Sequence, residues 1–379
     1  MDKKNKNPNV PNLRFREFHT EWEKIQIGNL IKERKEYTSD FEKYPLYSFT
    51  IESGITPKSD RYERSFLVKK EGDLFKIVHQ NDFVMNPMNL RFGALNYSKI
   101  NQTVSVSGYY DIFTIDACKY NEFWNAYLKT PRMLYTYNTI ATGSLVEKKR
   151  VYFKQLKELK MCIPSEMEKN KINEFINLLN ERIQTQNKII DDYNSLKIGI
   201  YNWMFKENYA DYKLKQLAYI VKGDQINNDQ LLSNGSYYMM NGGTSPSGYL
   251  DSYNVSENTI SISEGGNSCG YVQFNSSPFW SGGHCYTIQN VNSALIDNKY
   301  LYHYLKHKEK EIMNLRIGTG LPNIQKRDLE NFTILAPNLS IQRKNLALFE
   351  MLDEKISVLN EELTILEKQK KYLLCNMFI

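Results

Sequence analysis

One stretch of this sequence occurs twice. Pro164 to Phe205 reads PSEMEKNKINEFINLLNERIQTQNKIIDDYNSLKIGIYNWMF, and Pro337 to Phe378 reads PNLSIQRKNLALFEMLDEKISVLNEELTILEKQKKYLLCNMF. The copies align without a gap at a constant offset of 173 residues. Identical pairs are Pro164/Pro337, Lys171/Lys344, Leu179/Leu352, Glu181/Glu354, Ile183/Ile356, Asn187/Asn360, Lys197/Lys370, Met204/Met377 and Phe205/Phe378. Internal repeats outrank local signals as evidence for a fold.

Both copies place apolar residues at the a and d positions of a heptad repeat, from Ile172 to Met204 and from Asn345 to Met377. Such a seam on a polar background predicts a helix that pairs with another helix. Each seam has an obvious mate in the other, so we predict an antiparallel coiled coil with pseudo-twofold symmetry. The side chains predicted to pair are Ile176, Leu179, Ile183, Ile190, Phe349, Leu352, Ile356 and Leu363.

The length of each copy separates this reading from its alternative, two ordinary core helices of a helical domain. About 42 residues at 1.5 Å per residue make a rod of roughly 60 Å, and the sequence offers no third comparable helix to complete a bundle. Both seams also contain a lysine, Lys197 and Lys370. A polar residue in an apolar seam fixes the register of pairing at some cost in stability.

The segments ahead of the two long copies also repeat. Trp22 to Ile31 resembles Tyr212 to Val221, and a further block matches at an offset of 177 residues. The matched pairs are Tyr127-Leu128-Lys129 with Tyr304-Leu305-Lys306, Thr142-Gly143 with Thr319-Gly320, and Lys149-Arg150 with Lys326-Arg327. We expect a four-residue deletion between Arg327 and Pro337 to account for the change of offset from 177 to 173.

The repeats predict an α+β chain of two globular domains of mixed strands and helices, each followed by a long helix. Residues 74 to 115 alternate apolar and polar residues, as strands do, whereas the matching part of the second domain is rich in Gly and Ser. One scaffold therefore carries two different recognition surfaces. The predicted boundaries are 1–21 for an N-terminal arm, 22–163 and 206–336 for the domains, and 164–205 and 337–379 for the helices.

Composition excludes several classes of protein. A hydrophobic content of 41% and a charged content of 24% are typical of globular proteins, and the net charge of +6 suits a polyanionic partner. The N-terminus has no apolar signal segment and no run of 18 apolar residues occurs, so we expect a cytoplasmic protein. Five scattered cysteines without a CxxC pair argue against a disulfide scaffold or a four-thiolate zinc site.

Motifs for catalysis are weak. Gly265 to Gly270 offers the glycines of a phosphate-binding loop, but Tyr271 stands where that loop needs lysine, so a turn between strands is expected. Asn86-Pro87-Met88-Asn89 lacks the second proline and the aromatic ring of adenine methyltransferases, and is also read as a turn. His303 and His307 have the spacing of metal ligands without a third ligand, which favours an exposed basic helix. We predict no catalytic residue and no metal site.

Polar loops instead indicate binding to DNA. Arg suits the guanine edge, Asn suits adenine, and glycine lets backbone approach phosphate closely. Ordinary solvated loops are the alternative for each single residue, and the Lys-Arg pairs could equally dock on the long helices. The candidates are Thr56, Lys58, Arg61, Asn89, Arg91, Lys149 and Arg150 in the first domain, and Asn241, Ser245, Ser247, Tyr249, Asn267, Lys326 and Arg327 in the second.

The twofold order of these features resembles the specificity subunit of a type I restriction-modification enzyme. The resemblance covers nearly the whole chain: the Thr-Gly turns, the Lys-Arg pairs, the proline that opens each helix, the leucine-rich seams and the Met-Phe ends. It implies a non-catalytic subunit whose two target-recognition domains each read one half of a bipartite, asymmetric DNA site, with the paired helices setting the spacing.

The resemblance also implies partners. These are double-stranded DNA, two modification subunits that methylate adenine with S-adenosylmethionine, and two restriction subunits that use ATP and Mg²⁺. No cofactor is expected in this chain itself. Two other readings stay open on the residues alone: a self-contained DNA methyltransferase or nuclease with degenerate motifs, and a coiled-coil adaptor without a role on DNA.

Overall fold

A computed structural model describes residues 9–51, 54–57, 74–145, 148–205, 209–318, 320 and 322–379. The chain divides into two compact units. Unit 1 comprises Met1–Gln186 and Glu362–Ile379, and unit 2 comprises Asn187–Glu361. Each long helix therefore contributes one part to each unit. Among the described residues, no helix combines the length and the apolar character needed to cross a membrane, and all five cysteines are free thiols.

Both units contain many short strands. The strands of unit 1 are β1 (Glu23–Gln26), β2 (Ile31–Arg34), β3 (Tyr37–Thr38), β4 (Tyr47–Thr50), β5 (Gly54–Pro57), β6 (Phe75–Val78), β7 (Phe83–Met85), β8 (Leu95–Tyr97), β9 (Val104–Val106), β10 (Asp111–Ile115) and β11 (Lys160–Ile163). The strands of unit 2 are β12 (Ala210–Lys213), β13 (Tyr219–Lys222), β14 (Tyr237–Met240), β15 (Gly248–Leu250), β16 (Thr259–Ser263), β17 (Val272–Asn275), β18 (Trp280–Ser281), β19 (Cys285–Gln289) and β20 (Thr333–Ala336).

Helices connect and follow these strands. They are α1 (Asn121–Tyr127), α2 (Pro131–Ile140), α3 (Phe153–Glu158), α4 (Glu166–Met204), α5 (Leu214–Leu217), α6 (Asn298–His307), α7 (Glu309–Met313), α8 (Lys326–Glu330) and α9 (Leu339–Met377). Local chemistry explains their starts. For example, the Asp297 carboxylate caps α6 by accepting hydrogen bonds from the backbone N–H groups of Lys299 and Tyr300, at 2.9 and 3.2 Å.

The two units share one sheet topology. The central sheet of unit 1 has the order β2-β10-β7-β8, and that of unit 2 has the order β13-β19-β16-β17, antiparallel throughout. Each unit adds a two-stranded sheet, β1-β11 or β12-β20. The remaining sheets differ: β3-β6-β9 and β4-β5 in unit 1, but β15-β14-β18 in unit 2. The prediction of an α+β chain with two copies of one scaffold is confirmed.

The long helices α4 and α9 have 39 residues each and begin two residues after Pro164 and Pro337. In unit 1, Lys370 Nζ donates to Asn180 Oδ1 at 2.5 Å, and Gln186 Nε2 donates to Glu362 Oε2 at 3.1 Å. In these contacting pairs the residue number rises along α4 as it falls along α9, so the two helices are antiparallel.

Unit 2 shows the same direction of pairing: Lys197 bonds to Asp353, and the rings of Tyr201 and Phe349 lie 4.4 Å apart. The predicted antiparallel pairing of α4 with α9 is thus confirmed. The eight side chains predicted for the seam are buried or half-buried.

The end of a long helix completes the core of each unit. Phe378, after α9, lies in the core of unit 1 with its ring 5.0 Å from that of Tyr127. Phe205, after α4, lies in the core of unit 2 with its ring 4.9 Å from that of Tyr304. The repeated Met-Phe motif is therefore a packing motif.

The structure corrects the match between Lys149-Arg150 and Lys326-Arg327. Lys326 is the first residue of α8, just as Phe153 is the first residue of α3, whereas Lys149-Arg150 precede α3. Equivalent hydrogen bonds run from Val151 N to Pro87 O and from Ile324 N to Glu264 O, both at 2.9 Å. The offset has thus already become 173 at Val151, so the deletion predicted between Arg327 and Pro337 is wrong. The shorter loop of unit 2 lies ahead of Ile324.

Candidate nucleic-acid interface

In unit 1, Asn89 and Arg91 lie at the turn between β7 and β8. The Asn89 carbonyl accepts hydrogen bonds from Phe92 N and Ala94 N, at 2.9 and 3.1 Å, which holds the turn. The Arg91 guanidinium lies over the exposed Phe92 ring, 4.7 Å from its centroid. A cation stacked on an exposed ring offers a flat, positively charged surface. Thr56 lies half-buried in β5, and Lys58 and Arg61 fall outside the described residues.

The loop that carries Lys149 and Arg150 comes to the same turn. Arg150 exchanges two backbone hydrogen bonds with Thr142, each of 2.9 Å, and its guanidinium lies 5.2 Å from the Tyr109 ring centroid. Val151 then donates its N–H to Pro87 O. Two segments that are distant in the sequence thereby present Asn89, Arg91 and Arg150 in one region of unit 1.

In unit 2, a glycine-lined pocket of about 630 Å³ receives two of the predicted side chains, Asn241 and Ser247. Gly242 and Gly266 in its wall have φ angles of +79° and +76°, which a residue with a Cβ rarely adopts. The other polar side chains of the wall were not predicted from the sequence. They are Lys222, Glu264, His284 and Asn323.

Glu264 contacts two other side chains of this wall, Lys222 and His284. Its buried carboxylate accepts hydrogen bonds from Lys222 Nζ at 2.5 Å and from the Tyr286 hydroxyl at 3.2 Å, and its other oxygen lies 3.6 Å from His284 Nδ1. Burial, with the charge of Glu264, raises the pKa of Tyr286 to about 12, so this hydroxyl remains a donor. His284 also donates its backbone N–H to Asn241 Oδ1 at 3.0 Å.

The remaining predicted residues of unit 2 do not line this pocket. Asn267, Ser245 and Tyr249 are exposed on loops or on β15. Lys326 and Arg327 are exposed in the first turn of α8, where Lys326 Nζ is 3.7 Å from Glu330. All of these stay predictions for DNA contact.

The expectation of an exposed basic helix at His303 is wrong. His303 is 4% exposed, with its Nδ1 2.8 Å from the Tyr201 hydroxyl and 3.8 Å from Asp353. Burial lowers the pKa of His303 to about 4, outweighing the opposite effect of the Asp353 carboxylate. The apolar faces of the long helices, which the sequence predicted only to pair with each other, also pack against α6. Within the described parts of the chain, no cluster of three or more His, Cys, Asp or Glu side chains could hold a metal.

Comparison with known proteins finds a family match in the second half of the chain. Residues 206–368, which include the pocket, match the model of the type I restriction modification DNA specificity domain. A putative type I specificity subunit of Mycoplasma pneumoniae is 35% identical over 127 residues, 34% of this chain and 34% of that protein. A second, from Mycoplasma genitalium, is 32% identical over 127 residues, 34% of this chain and 33% of that protein.

Solved structures share the fold over a longer range. The S subunit of a type I restriction-modification system from M. genitalium matches with a TM-score of 0.63 at 17% identity, covering 98% of this chain and 99% of its own. A chain from a structure of a type I restriction-modification system matches with a TM-score of 0.59 at 13% identity, covering 93% of this chain and 96% of its own. Such low identities show the fold alone, and the curated matches span about a third of those relatives' length. Residues 206–368 therefore match the family of type I restriction modification DNA specificity domains, and the similarity to type I specificity subunits that the sequence predicted is confirmed.

Proposed function

We propose that this chain is the non-catalytic DNA sequence-specificity subunit of a type I restriction-modification complex. The family match over residues 206–368 carries the proposal, because it assigns a DNA specificity domain to the unit that contains the glycine-lined pocket. The repeated sheet order supports the extension to the other half of the chain, since unit 1 builds the same four-stranded sheet as unit 2.

Each unit reads one half of a bipartite, asymmetric site. The sheets outside the shared scaffold differ between the units, which fits two different half-sites. In unit 1 the region of Asn89, Arg91 and Arg150 offers guanidinium and amide groups, the side chains suited to guanine and adenine edges. In unit 2, Asn241 and Ser247 offer an amide and a hydroxyl beside glycine backbone. The recognition domains are residues 22–163 and 206–336.

The paired helices set the spacing of the two half-sites and dock the modification subunits. Their antiparallel pairing and their length of 39 residues each support a rigid spacer. A pseudo-twofold protein on DNA places its half-sites about one helical turn apart, roughly 34 Å. Two methyltransferase subunits with S-adenosylmethionine and two restriction subunits with ATP and Mg²⁺ complete the complex.

Binding of a selected duplex tests this function. Together with its modification partner, the full chain should select one bipartite sequence from a random pool, with affinity that falls steeply as salt rises because phosphate contacts release counterions. The purified chain alone should transfer no methyl group from S-adenosylmethionine to DNA. Equal affinity for shuffled duplexes would contradict the proposal, and methylation by the chain alone would favour an enzyme.

An exchange of domains tests the division of labour. Replacing residues 22–150 with the corresponding segment of another specificity subunit should change one half of the selected site and leave the other half and the spacing intact. Point variants sharpen this result: Arg91→Ala should relax selection in one half, while Asn241→Ala should relax the other. A change in both halves from either variant would contradict the assignment of one half-site to each unit.

A further inference from the structure

Unit 1 contains a pocket of about 660 Å³ that its own side chains leave open. It lies between α1, the beginning of α2, the first part of α4 and the last part of α9. Its wall combines apolar side chains with three lysines, two amides, a threonine and two carboxylates, and includes Ala126, Lys129, Ile176, Asn180, Lys370 and Leu374.

Unit 2 fills the same place with aromatic side chains. Helices α1 and α6 begin at residues 121 and 298, and α4 and α9 begin at 166 and 339, so offsets of 177 and 173 give the equivalent positions. His303 corresponds to Ala126, Tyr201 to Leu374, and Phe349 to Ile176. In unit 2 these three pack together, with 4.4 Å between the rings of Tyr201 and Phe349 and 5.1 Å between those of His303 and Phe349. Unit 1 has a smaller side chain at each of the three positions.

Two lysines of the pocket, Lys370 and Lys129, also lack the carboxylates that pair with the equivalent lysines of unit 2. Lys197 in unit 2 forms an ion pair with Asp353, but the equivalent Lys370 in unit 1 meets the neutral Asn180. Lys129 differs from its equivalent in unit 2 in the same way.

Lys306 in unit 2 forms an ion pair with Glu309 at 2.5 Å, whereas unit 1 has Lys129 and Arg132 at the equivalent positions. Within the described residues, no carboxylate forms an ion pair with Lys129 or Lys370. Burial accordingly lowers the pKa of Lys129 to about 8 and lowers the pKa of Lys370.

Two carboxylates line the pocket, and they act on these lysines through their charge without an ion-pair contact: Glu122 partly offsets the effect of burial on the pKa of Lys129 and of Lys370, and Glu367 does so for Lys370. Glu122 is buried and already accepts hydrogen bonds from the Tyr97 hydroxyl, at 2.8 Å, and from Lys99. Glu367 is exposed on α9, where the neighbouring Lys371 also lines the pocket. Positive charge therefore remains beside an apolar cavity.

We propose that this pocket of unit 1 binds an aromatic side chain and an adjacent carboxylate that a partner protein presents. Unit 2 shows that protein side chains of this chemistry fit the scaffold, because it has Tyr201 and Phe349 packed together at the positions of Leu374 and Ile176, beside the ion pair of Lys197 with Asp353. Charge complementarity selects an acidic segment, since its carboxylate would give Lys129 or Lys370 the kind of ion pair that Lys306 and Lys197 form in unit 2. The proposal concerns a protein contact and does not depend on how the chain reads DNA.

Three capped dipeptides test the chemistry on the full chain: acetyl-Asp-Tyr-amide, acetyl-Lys-Tyr-amide and acetyl-Asp-Ala-amide. Binding is measured by calorimetric titration and by ligand-observed NMR. The Asp-Tyr peptide should bind at least tenfold more tightly than either of the others, because only it supplies both the ring and the carboxylate. Equal binding of the three, or no binding of Asp-Tyr, would overturn the proposal.

Variants that copy unit 2 into unit 1 locate the site. Leu374→Tyr fills the cavity and Asn180→Asp neutralises Lys370, so each should weaken Asp-Tyr binding at least tenfold. Lys129→Ala should weaken it without filling the cavity, which keeps the test decisive if Leu374→Tyr fails to fold. Lys368→Ala, on the exposed face of α9, is the matched control and should bind as the unchanged chain does.

Unchanged affinity in all three pocket variants would place any binding elsewhere and overturn the assignment. Selection of a bipartite duplex by the same variants separates the two proposals. If peptide binding is absent while selection persists, the pocket proposal fails and the proposed function stands.

Discussion

Units 1 and 2 build one scaffold and fill it differently. Both have the same order of strands in the four-stranded sheet, and both place a phenylalanine from a helix end in the core. One equivalent buried polar position near the start of the long helices differs between the units: it is Lys169 on α4 and Gln342 on α9, separated by the repeat offset. The pattern of apolar contacts is therefore preserved where individual polar residues are not.

These two buried side chains form hydrogen bonds with different kinds of partner. Lys169 Nζ donates to Asp116 at 2.7 Å and to Glu166 at 3.0 Å. Gln342 instead bonds to backbone, donating to Leu295 O and Pro337 O at 2.9 and 2.8 Å. A buried charge requires an opposite charge, whereas a buried amide is satisfied by peptide groups. Surfaces and polar contacts can thus diverge between the copies while the fold stays the same.

Removal of the helix-end rings should have the largest effect. Phe378→Ala should destabilise unit 1 and Phe205→Ala should destabilise unit 2, each by about 4 kcal/mol, because a buried ring leaves a cavity. Hydrogen exchange resolved along the chain should show lost protection in the unit concerned. Tyr372→Ala, at a side chain that is 67% exposed, is the control. Loss of protection in both units from either change would contradict the assignment of one helix-end ring to each core.

A buried ion pair without a counterpart in unit 2 gives the next effect. Arg14 contacts Glu168 through two hydrogen bonds of 2.7 and 2.6 Å, and the Glu168 side chain is 1% exposed. Ile341 occupies the equivalent position on α9. Arg14→Ala should cost unit 1 about 3 kcal/mol by leaving a buried carboxylate unpaired.

The double variant Arg14→Ala with Glu168→Ala should recover most of that loss. Denaturant unfolding of the single and double variants measures the coupling. Additive losses would show that the two residues contribute separately.

The pH dependence of stability should distinguish the units through His303. Its pKa of about 4 lies below the ordinary value of 6.5, so the unfolded chain binds the proton more readily. This contribution to stability, on the order of 3 kcal/mol, is complete above pH 6.5 and is lost progressively as pH falls from 6.5 through 4.

His303→Gln should flatten this dependence for unit 2, while Ala126 leaves unit 1 without it. Unfolding of the unchanged chain and of His303→Gln, followed between about pH 7 and about pH 4, measures the difference between their pH profiles. An unchanged pH profile in the variant would contradict the role of His303.

The smallest effect is expected at the lysine in the seam of unit 2. The side chains of Lys197 and Asp353 are 22% and 38% exposed, so solvent screens their ion pair. Asp353→Asn reproduces the Asn180 of unit 1 and should cost about 0.5 kcal/mol. Thermal unfolding at low and high salt measures it, and the difference between Asp353→Asn and the unchanged chain should shrink as salt rises. A loss of several kcal/mol would show that the seam lysine depends strongly on its carboxylate.

The amino-acid sequence by itself determined the repeat, the two long helices and the pairing of one with the other. The prolines and the heptads are local, periodic signals, and the observed starts at Glu166 and Leu339 follow them within two residues. The α+β character of the units came from the alternation of apolar and polar residues in the same way. The Asn and Ser side chains of the second domain were also predicted from composition, and two of them line the pocket of unit 2.

Only the tertiary structure decided which polar residues meet. Lys222 ends β13, Glu264 follows β16 and His284 precedes β19, and the order of strands in the sheet brings them together. The true alignment of Lys326-Arg327, the burial of His303 and the open pocket of unit 1 likewise depend on loop lengths and on contacts between distant segments. Periodicity reports the face of one element, whereas such contacts depend on how several elements pack, and no local pattern encodes that.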